Sequence, residues 1–410
     1  MTATINTDTV NTSTVNKSTV NKSIVNKGQV FKGSSYRFNS GKNANEQASH
    51  RASINTENSN TKVPDYTKLA IQLDAVKTDV KSKIGSEDAA YIRRVILAQR
   101  ACEWTGRILL MLGFIQPLLW VVGVLSLATA KILDNMEIGH NVMHGQYDWM
   151  NDKHINSKAY EWDIACDGSS WNRVHNYEHH TYTNIIGKDR DFGYGLLRLS
   201  NDFRWRVKNL WQFITYVMLS VMFQWGVSYH EMAAERVFFG KKKDNRKNQL
   251  SHAELKRRFF SKGARQLVKD YVLFPLLAGP FFLYVFTGNL VANLLRNLWT
   301  STIIFCGHFT GDVQTFSAQD CIDETQGQWY YRQGLGSSNI KGGKLFHVLT
   351  GHLSFQIEHH LFPDIPARRY KEMAPQVQAI FKEHGMHYNT GGFFKQYASV
   401  LKRIVRYSFP

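Results

Sequence analysis

The sequence predicts an all-α integral membrane protein, with about four transmembrane helices under a cytosolic helical body. Three observations predict this class: long apolar blocks, a strongly basic stretch between two of them, and histidines that cluster beside the blocks. The chain has 410 residues, 43% of them hydrophobic and 13% aromatic. Mean hydropathy is only −0.33 because polar segments dilute the apolar blocks. The net charge of +17 suits an anionic membrane surface, and no recognition-helix or zinc-finger pattern favours nucleic acid as a partner.

The two ends of the chain differ from its middle. Residues 9–28 repeat a five-residue pattern of Thr, Val, Asn, Ser and Lys, which cannot bury a core, so residues 1–62 are predicted to be a disordered, low-complexity tail. Residues 63–104 alternate apolar and charged residues at helical spacing and are predicted to form an amphipathic helical lead-in. A membrane domain is expected over residues 105–385, followed by a basic C-terminal tail at residues 386–410.

Three apolar blocks define the membrane domain. Ile108–Leu133 exceeds the roughly 20 residues that a transmembrane helix needs, and a shorter partner is expected just before it. The second block is Leu210–Tyr229 and the third is Tyr271–His308. Gly288 and Asn289 interrupt the third block, which favours a tight antiparallel helical hairpin with its turn at that dipeptide.

The charge of one connecting stretch predicts the topology. Arg236–Arg265 contains 11 Lys or Arg residues and two acidic residues, so the positive-inside rule places it in the cytosol. The hairpin then returns the chain to the cytosolic side. If Leu210–Tyr229 also crossed the membrane, the histidines before and after it would lie on opposite sides. That block is therefore expected to lie in the membrane interface or on the cytosolic body.

Half of the 16 histidines fall in a pattern. Two are spaced i, i+4 after the first block, and one segment has a histidine four residues before an adjacent His-His pair. Another segment contains a second His-His pair, and one histidine ends the third block. Neutral imidazole is a common ligand of zinc, copper, iron and nickel, and eight imidazoles exceed the four ligands that one zinc ion takes. The pattern therefore predicts two ions of undecided metal, with candidate ligands His140, His144, His175, His179, His180, His308, His359 and His360.

Other polar residues near these histidines are candidates for weaker roles. Asn176 and Gln356 share a position in an amide-x-Glu-His-His pattern, and are expected to orient a ligand or to touch a metal weakly. His352 is a candidate for orienting a ligand, whereas His230 is expected at the surface or at a helix cap. Acidic side chains are expected to accept N–H bonds from ligand imidazoles, and the candidates are Glu178, Glu358, Asp163, Asp189 and Asp191.

The histidine segments resemble those of a known family. "GHNVMH", "HNYEHH" and "QIEHHLFP" are similar, in type and order, to the three histidine boxes of the membrane fatty acid desaturases, and the resemblance covers roughly residues 90–385. The longer context is similar to bacterial acyl-CoA desaturases of the stearoyl-CoA 9-desaturase kind. The third segment also resembles the linoleoyl-CoA and front-end desaturases.

This resemblance implies a function and a cofactor. It implies a non-haem di-iron centre held by the same eight histidines, with O2 as oxidant. It also implies insertion of a cis double bond, at Δ9, into a long-chain acyl-CoA or acyl-lipid. The implied location is a bacterial inner membrane, with several spans and the active site on the cytosolic side.

The chemistry of such a substrate agrees with this reading. A mid-chain methylene group is not acidic, so a redox metal rather than a general base has to remove its hydrogen. The acyl chain needs a narrow apolar tunnel. The aromatic residues expected to line this tunnel, or alternatively to pack or anchor in the interface, are Tyr147, Trp149, Trp162, Trp171 and Tyr177.

The head group and the electron supply lead to further expectations. Arg173, Lys188 and Arg190 are candidates for binding the phosphates of a CoA head group, with solvated surface charges as the alternative.

The sequence has no His-Pro haem motif, no ferredoxin-like cysteine spacing and no GxGxxG. Electrons are therefore expected from NAD(P)H through a separate ferredoxin or iron–sulfur flavoprotein reductase, docked on the basic face.

Three alternatives stay open on the sequence. A di-iron membrane hydroxylase of alkane or ring substrates would use the same oxidant. A non-catalytic membrane protein would hold a structural metal, such as zinc. A lipid-binding scaffold would hold no metal.

Overall fold

The computed structural model describes residues 64–240, 250–319 and 321–410, which are mostly helical. The predicted tail at residues 1–62 and the central basic residues 241–249 lie outside the described residues. The helices, numbered in chain order, are α1 (Tyr66–Ser82), α2 (Ser86–Met111), α3 (Pro117–Ile132), α4 (Gly168–Trp171), α5 (Gln212–Val221), α6 (Phe223–Glu231), α7 (Ala234–Phe239), α8 (His252–Val268), α9 (Phe282–His308), α10 (Gln326–Leu335), α11 (Lys344–Leu349), α12 (Gln356–Leu361), α13 (Tyr370–Glu383) and α14 (Phe393–Arg406).

Wider π-helical turns extend three of these helices. Each turn passes directly into a short α-helical segment, so the helical run continues beyond it. Turns of this kind are rare and often occur at functional sites, and two of the three carry predicted metal ligands. The turns with their following segments are Leu133–His140 and Asn141–Met143 after α3, Asn172–His179 and His180–Tyr182 after α4, and Lys269–Leu273 and Phe274–Leu277 after α8.

The other regular elements are short. Two three-residue strands, β1 (Asn339–Lys341) and β2 (Thr390–Gly392), pair in parallel, with Ile340 opposite Gly391. The 3₁₀ turns are Asp148–Met150, Phe192–Gly195, Val207–Trp211, Gly279–Phe281, Leu353–Phe355 and Ala367–Arg369.

Helices α2, α3 and α9 pack together and form the apolar part of the fold. Within the described ranges, one helix, Pro117–Met143, is long and apolar enough to cross a membrane. Val207–Val221 and Phe223–Glu231 pass the same test only as a pair, and the chain bends by 95° between them. The predicted Leu210–Tyr229 block is therefore not one straight helix.

The predicted turn inside the third apolar block is wrong. Helix α9 runs unbroken through Gly288 and Asn289, and the chain turns earlier, at Gly279, whose φ of +56° is readily available to glycine. Gly288 instead allows a close helix contact, because a Cβ there would lie 2.4 Å from a Leu110 methyl group. Asn289 donates to the backbone carbonyl of Asp270 and accepts a bond from Arg107.

The predicted lead-in and the C-terminal segment both pack against the rest of the fold. The lead-in forms α1 and α2, and α1 buries Leu69 and Leu73 in a core shared with the third histidine segment, including Ile357. Residues 386–410, expected as a basic tail, form β2 and α14. Val400 and Ile404 of α14 are fully buried because its apolar residues recur at helical spacing.

A buried ionic network joins the apolar helices to the loops above them. Asp270 lies 3.0 Å from the Arg107 guanidinium and 2.8 Å from the Lys131 ammonium group, and all three side chains are buried. Lys131 also lies 3.5 Å from Asp163. Buried charges of this kind are tolerated only when each is paired, so this network fixes how α2, α3 and the turn after α8 meet.

We predict that Asp270→Ala destabilises the fold strongly, because it leaves two buried cations without their shared partner. The expected loss is about 3 kcal/mol or more. Asp79→Ala, which removes a half-exposed i, i+4 partner of Lys83, is expected to cost less than about 1 kcal/mol. Thermal unfolding of the two purified variants in detergent checks this, and equal melting temperatures would contradict it.

Candidate metal centre

Four segments that are distant in the sequence bring the eight predicted histidines to one place. They are the helical run after α3, the helical run after α4, the C-terminus of α9, and α12. Imidazole rings from different segments are in contact: His140 and His359 have ring centres 4.8 Å apart, and His180 stacks on His360 at 4.4 Å. Six of the eight residues are buried, and His144 and His175 are partly buried.

The ring nitrogens of these histidines form two groups, which are joined by a third group that overlaps both. His140, His144, His175 and His359 offer nitrogens that all lie within 4.8 Å of one another. A second such group contains His179, His308 and His360, and His180 shares a further group with His359 and His360. The structure thus brings the eight histidines together in these groups, and their role as ligands of two ions stays a prediction.

Several of these ring nitrogens are buried without a hydrogen-bond partner among the described residues. Six histidines carry a buried nitrogen with no partner among the described residues. A buried polar atom without a hydrogen-bond partner costs about 1–3 kcal/mol. So many unpaired ring nitrogens at one place are consistent with a site where metal ions are their partners. The nitrogens concerned are Nε2 of His144, His175, His179, His180 and His359, together with Nδ1 of His180 and His308.

Carboxylates orient two of these rings. His175 Nδ1 lies 3.0 Å from Asp191 Oδ2, and His179 Nδ1 lies 3.1 Å from both oxygens of Asp189. Each contact places the proton on Nδ1 and leaves Nε2 for a metal, which is the usual outer arrangement of a metal-binding histidine. The prediction that Asp189 and Asp191 accept bonds from imidazoles is confirmed.

Neutral side chains orient two further rings. Gln333 Oε1 lies 2.9 Å from His360 Nδ1, while its amide nitrogen donates to the His180 backbone carbonyl at 2.8 Å. The Tyr370 hydroxyl lies 3.3 Å from His359 Nδ1. The sequence carries no signal for Gln333 or Tyr370, because neither lies in a histidine segment and no spacing pattern connects them to one.

Burial determines the charge of most of these rings. Burial, and then the neighbouring imidazoles, hold the pKa values of His180, His359 and His360 well below the ordinary histidine value. These rings are therefore neutral and able to bind a metal. His179 differs: burial lowers its pKa, but the charge and hydrogen bond of Asp189 outweigh burial and raise it.

The two amides of the repeated pattern lie in different environments. Gln356 Nε2 is 2.9 Å from His308 Nε2, and its Oε1 is buried without a partner. Asn176 donates to the Met143 backbone carbonyl at 2.8 Å, which ties the second histidine segment to the first. Gln356 thus lies at the second group of ring nitrogens.

Comparison with known proteins identifies the family. Residues 115–392, well over half of the chain, match the family model for fatty acid desaturases. The chain belongs to the fatty acid desaturase family. With two buried histidine groups in place, it is an acyl desaturase, and hence an oxidoreductase.

Individual relatives differ in how closely they match this desaturase. The NADPH-dependent stearoyl-CoA 9-desaturase of Mycobacterium tuberculosis is 43% identical over 84% of this chain and 81% of its own length. The sn-1 linoleoyl-lipid 6-desaturase of Synechocystis is 25% identical over 67% of this chain and 76% of its own length.

An apolar cavity meets the metal centre of the desaturase. His140, His175, His179 and His308 line part of it, together with Gln356. Most of the remaining wall is aliphatic or aromatic, as an acyl chain requires. These apolar residues are Met136, Trp162, Ile164, Trp171, Tyr194, Phe223, Val227, Ile304, Phe309 and Leu353.

The predicted tunnel aromatics are only partly confirmed. Trp162 and Trp171 line the cavity. Tyr147 is instead buried in a separate core, and Trp149 and Tyr177 are exposed. The sequence placed all five near the histidines, but distance along the chain does not determine which face of a segment meets the cavity.

The remaining acidic candidates occupy other environments. Glu358 is fully buried and accepts bonds from Asn339 and the Tyr388 hydroxyl, which fixes α12 to β1. The carboxylate of Asp163 contacts Lys131, Lys269 and Gln266 in the ionic network. Glu178 lies half-buried on the run after α4.

The three head-group candidates separate into two places. The Arg173 guanidinium donates to the backbone carbonyl of Glu231, and that of Arg190 donates to the carbonyl of His230. Lys188 is exposed, and its ammonium group lies 5.2 Å from the centre of the Tyr182 ring. The two arginines thus converge on the C-terminus of α6.

The surface position predicted for His230 is wrong. It is buried, and its Nε2 lies 3.1 Å from Asp191 Oδ1, so Asp191 bridges His230 and His175. The sequence carries no signal for this contact because the two residues are 39 positions apart. His352, which the sequence suggested as a residue that orients a ligand, instead has its Nδ1 2.9 Å from Glu137 Oε2.

We predict that Asp189→Asn lowers metal affinity by about 10–100-fold, because the amide holds the His179 ring less firmly than the carboxylate. Metal content after titration with a chelator measures this. The exposed Asp312→Asn variant is the control. Equal metal retention in the two variants would remove Asp189 from this role.

Proposed function

We propose that this desaturase inserts a cis double bond at Δ9 of a long-chain acyl-CoA, using O2 and two iron ions held by the eight histidines. The observation that carries the proposal is the apolar cavity, which is lined by histidines of both groups. A reactive centre and a slot for an acyl chain therefore share one enclosed space.

Iron is the metal that suits both the donors and the reaction. Neutral imidazoles accept several first-row metals, but removing hydrogen from an unactivated methylene requires a redox-active ion. With O2 and two electrons, the iron pair would supply the oxidant that takes two hydrogen atoms from adjacent carbons. The donors proposed for it are His140, His144, His175, His179, His180, His308, His359 and His360.

The protein's own residues have three tasks in this reaction. The histidines hold the metals, while Asp189, Asp191 and Gln333 fix the orientation of the rings. The apolar wall excludes water, which prevents side reactions of the oxidant. Trp162 and Trp171 form part of this wall and confine the chain beside the metals.

The substrate class is inferred from the relatives and from the charged residues. The mycobacterial relative is named for stearoyl-CoA, and Arg173 and Arg190 lie together at the C-terminus of α6. We assign these arginines and the exposed Lys188 to the phosphates of a CoA head group. Guanidinium groups suit phosphate through paired hydrogen bonds.

We further propose that electrons come from NADPH through a separate protein. The name of the mycobacterial relative includes NADPH, and the sequence of this chain has no dinucleotide fingerprint. A ferredoxin or an iron–sulfur flavoprotein reductase would carry the electrons. The basic surface around α8 offers such an acidic carrier a docking face.

The proposed location is a bacterial inner membrane, with several spans, about four in all, and the active site on the cytosolic side. The apolar run Pro117–Met143 and its packing with α2 and α9 support membrane insertion. The basic stretch Arg236–Arg265 supports the orientation. Membrane lipids then surround the exposed apolar faces of these helices.

Product analysis tests the proposed function. Expression in a host lacking the activity is expected to give fatty acids with one new double bond between carbons 9 and 10, located by mass spectrometry. Gain of oxygen without loss of two hydrogens would indicate a hydroxylase instead. Tightly bound zinc with no O2 consumption would indicate a structural metal site.

We predict that His359→Ala abolishes activity and lowers bound iron, whereas Gln356→Ala loses less of both. His359 offers a ring nitrogen to the first group, while Gln356 offers only an amide, and an amide oxygen is a weaker iron ligand than imidazole. Gln356→His is expected to keep iron, since it adds a nitrogen beside His308. Iron analysis and turnover decide this, and complete loss of iron in Gln356→Ala would contradict it.

A further inference from the structure

One apolar surface has no role in the proposed reaction: the outer side of α5 and of the 3₁₀ turn before it. Val207 is 67% exposed and Trp211 is 64% exposed, although both side chains are large and apolar. The exposed apolar residues recur at helical spacing and so form one ridge, which consists of Val207, Leu210, Trp211, Ile214 and Met218. A continuous exposed apolar face of this kind marks contact with a partner or with lipid.

The length and the bend of this segment favour a position along a membrane surface. Val207–Val221 covers about 22 Å at 1.5 Å per residue, which is less than the roughly 30 Å of a bilayer's hydrocarbon core. The chain then bends by 95° into α6, which lines the cavity. A helix face that is apolar but too short to cross the bilayer is stabilised in the interface between head groups and acyl chains.

The C-terminal part of α14 lies beside the start of this ridge. The Gln212 side chain donates a hydrogen bond to the backbone carbonyl of Ile404 at 2.6 Å, and Trp205 Nε1 donates to that of Ser408 at 2.9 Å. These bonds hold the two segments side by side. The two parts, residues 204–218 and 402–409, are called the α5–α14 surface.

The charge of this surface is positive. Residues 203–230 contain three Lys or Arg and no Asp or Glu, and residues 393–410 contain four Lys or Arg and no Asp or Glu. Arg403 is buried against backbone carbonyls, and Arg406 donates to the carbonyl of Pro410. Four other cations of the surface are exposed and form no salt bridge among the described residues: Arg204, Arg206, Lys208 and Lys402.

Exposed cations beside an apolar ridge are complementary to an anionic bilayer, because lipid phosphates meet the cations while acyl chains cover the ridge. An acidic soluble protein would pair with the cations but would not need the ridge. We propose that the α5–α14 surface binds anionic phospholipid, with its ridge among the acyl chains and its cations at the phosphate groups. This inference rests on the proposed membrane location and adds a lipid preference to it.

Trp211 provides a direct probe, because its side chain lies on the ridge and bromine atoms on acyl chains quench tryptophan fluorescence on contact. The full-length protein is reconstituted in phosphatidylcholine bilayers that contain a minor fraction of brominated phosphatidylglycerol or of brominated phosphatidylcholine. The Trp211 signal is the difference between the wild-type protein and Trp211→Phe. We expect both lipids to quench it, phosphatidylglycerol about threefold more strongly, because basic side chains at the membrane surface attract anionic lipid. High salt is expected to reduce this preference.

A charge variant and a matched control complete the test. Lys208→Gln combined with Lys402→Gln removes one cation from each part of the surface. The preference for phosphatidylglycerol is expected to fall from about threefold to less than about twofold, with quenching by phosphatidylcholine unchanged. Lys371→Gln combined with Lys382→Gln removes two exposed lysines of α13 and is expected to behave as wild type.

Trp104, which is exposed on the apolar helix α2, separates this inference from the proposed location. Its signal is obtained in the same way, from Trp104→Phe. If lipid quenches Trp104 but not Trp211, the protein lies in the membrane while the α5–α14 surface serves another partner, such as an acidic protein, and the inference is overturned. If neither tryptophan is quenched, the proposed membrane location is itself wrong.

Two further results would overturn the inference. One is equal quenching of Trp211 by the two brominated lipids in the wild-type protein, which is decisive even if the charge variant fails to fold. The other is an unchanged preference in the folded charge variant. Lack of any desaturated product would instead overturn the proposed reaction and would leave the quenching comparison unaffected.

Discussion

Buried imidazole nitrogens without a hydrogen-bond partner among the described residues converge at one place. The rest of the structure depends on this constraint. Burial keeps most of these rings neutral, and a neutral ring has a nitrogen lone pair that can bind a metal ion. The fold has to hold four separate segments against one another to keep them together. The π turns after α3 and α4 and the ends of α9 and α12 provide those positions.

The second requirement is that each ring faces the right way. Asp189, Asp191, Gln333 and Tyr370 come from elements other than the four ligand segments. The centre is therefore not a local motif but a product of the whole body. Helix α1 contributes at greater distance, because its apolar side chains pack in the core that also contains Ile357 of α12.

The cavity combines two opposed demands. An acyl chain needs an apolar wall, while a metal centre needs polar ligands, and both share the same space here. Besides four histidines, the polar residues that line the cavity are Asn135, Asp191, Gln224, Glu231, Thr300 and Gln356.

The sequence by itself identified the eight histidines that the structure brings together and the carboxylates close to them in the chain, since spacing within a helix or short loop is a local property. It identified Asp189 and Asp191 for that reason. Only the tertiary structure brought in His230, Gln333 and Tyr370, and only it placed the turn at Gly279 and excluded Tyr147 from the cavity. These features depend on contacts between segments many residues apart, and on which side of a helix packs inward, and neither is encoded in local spacing.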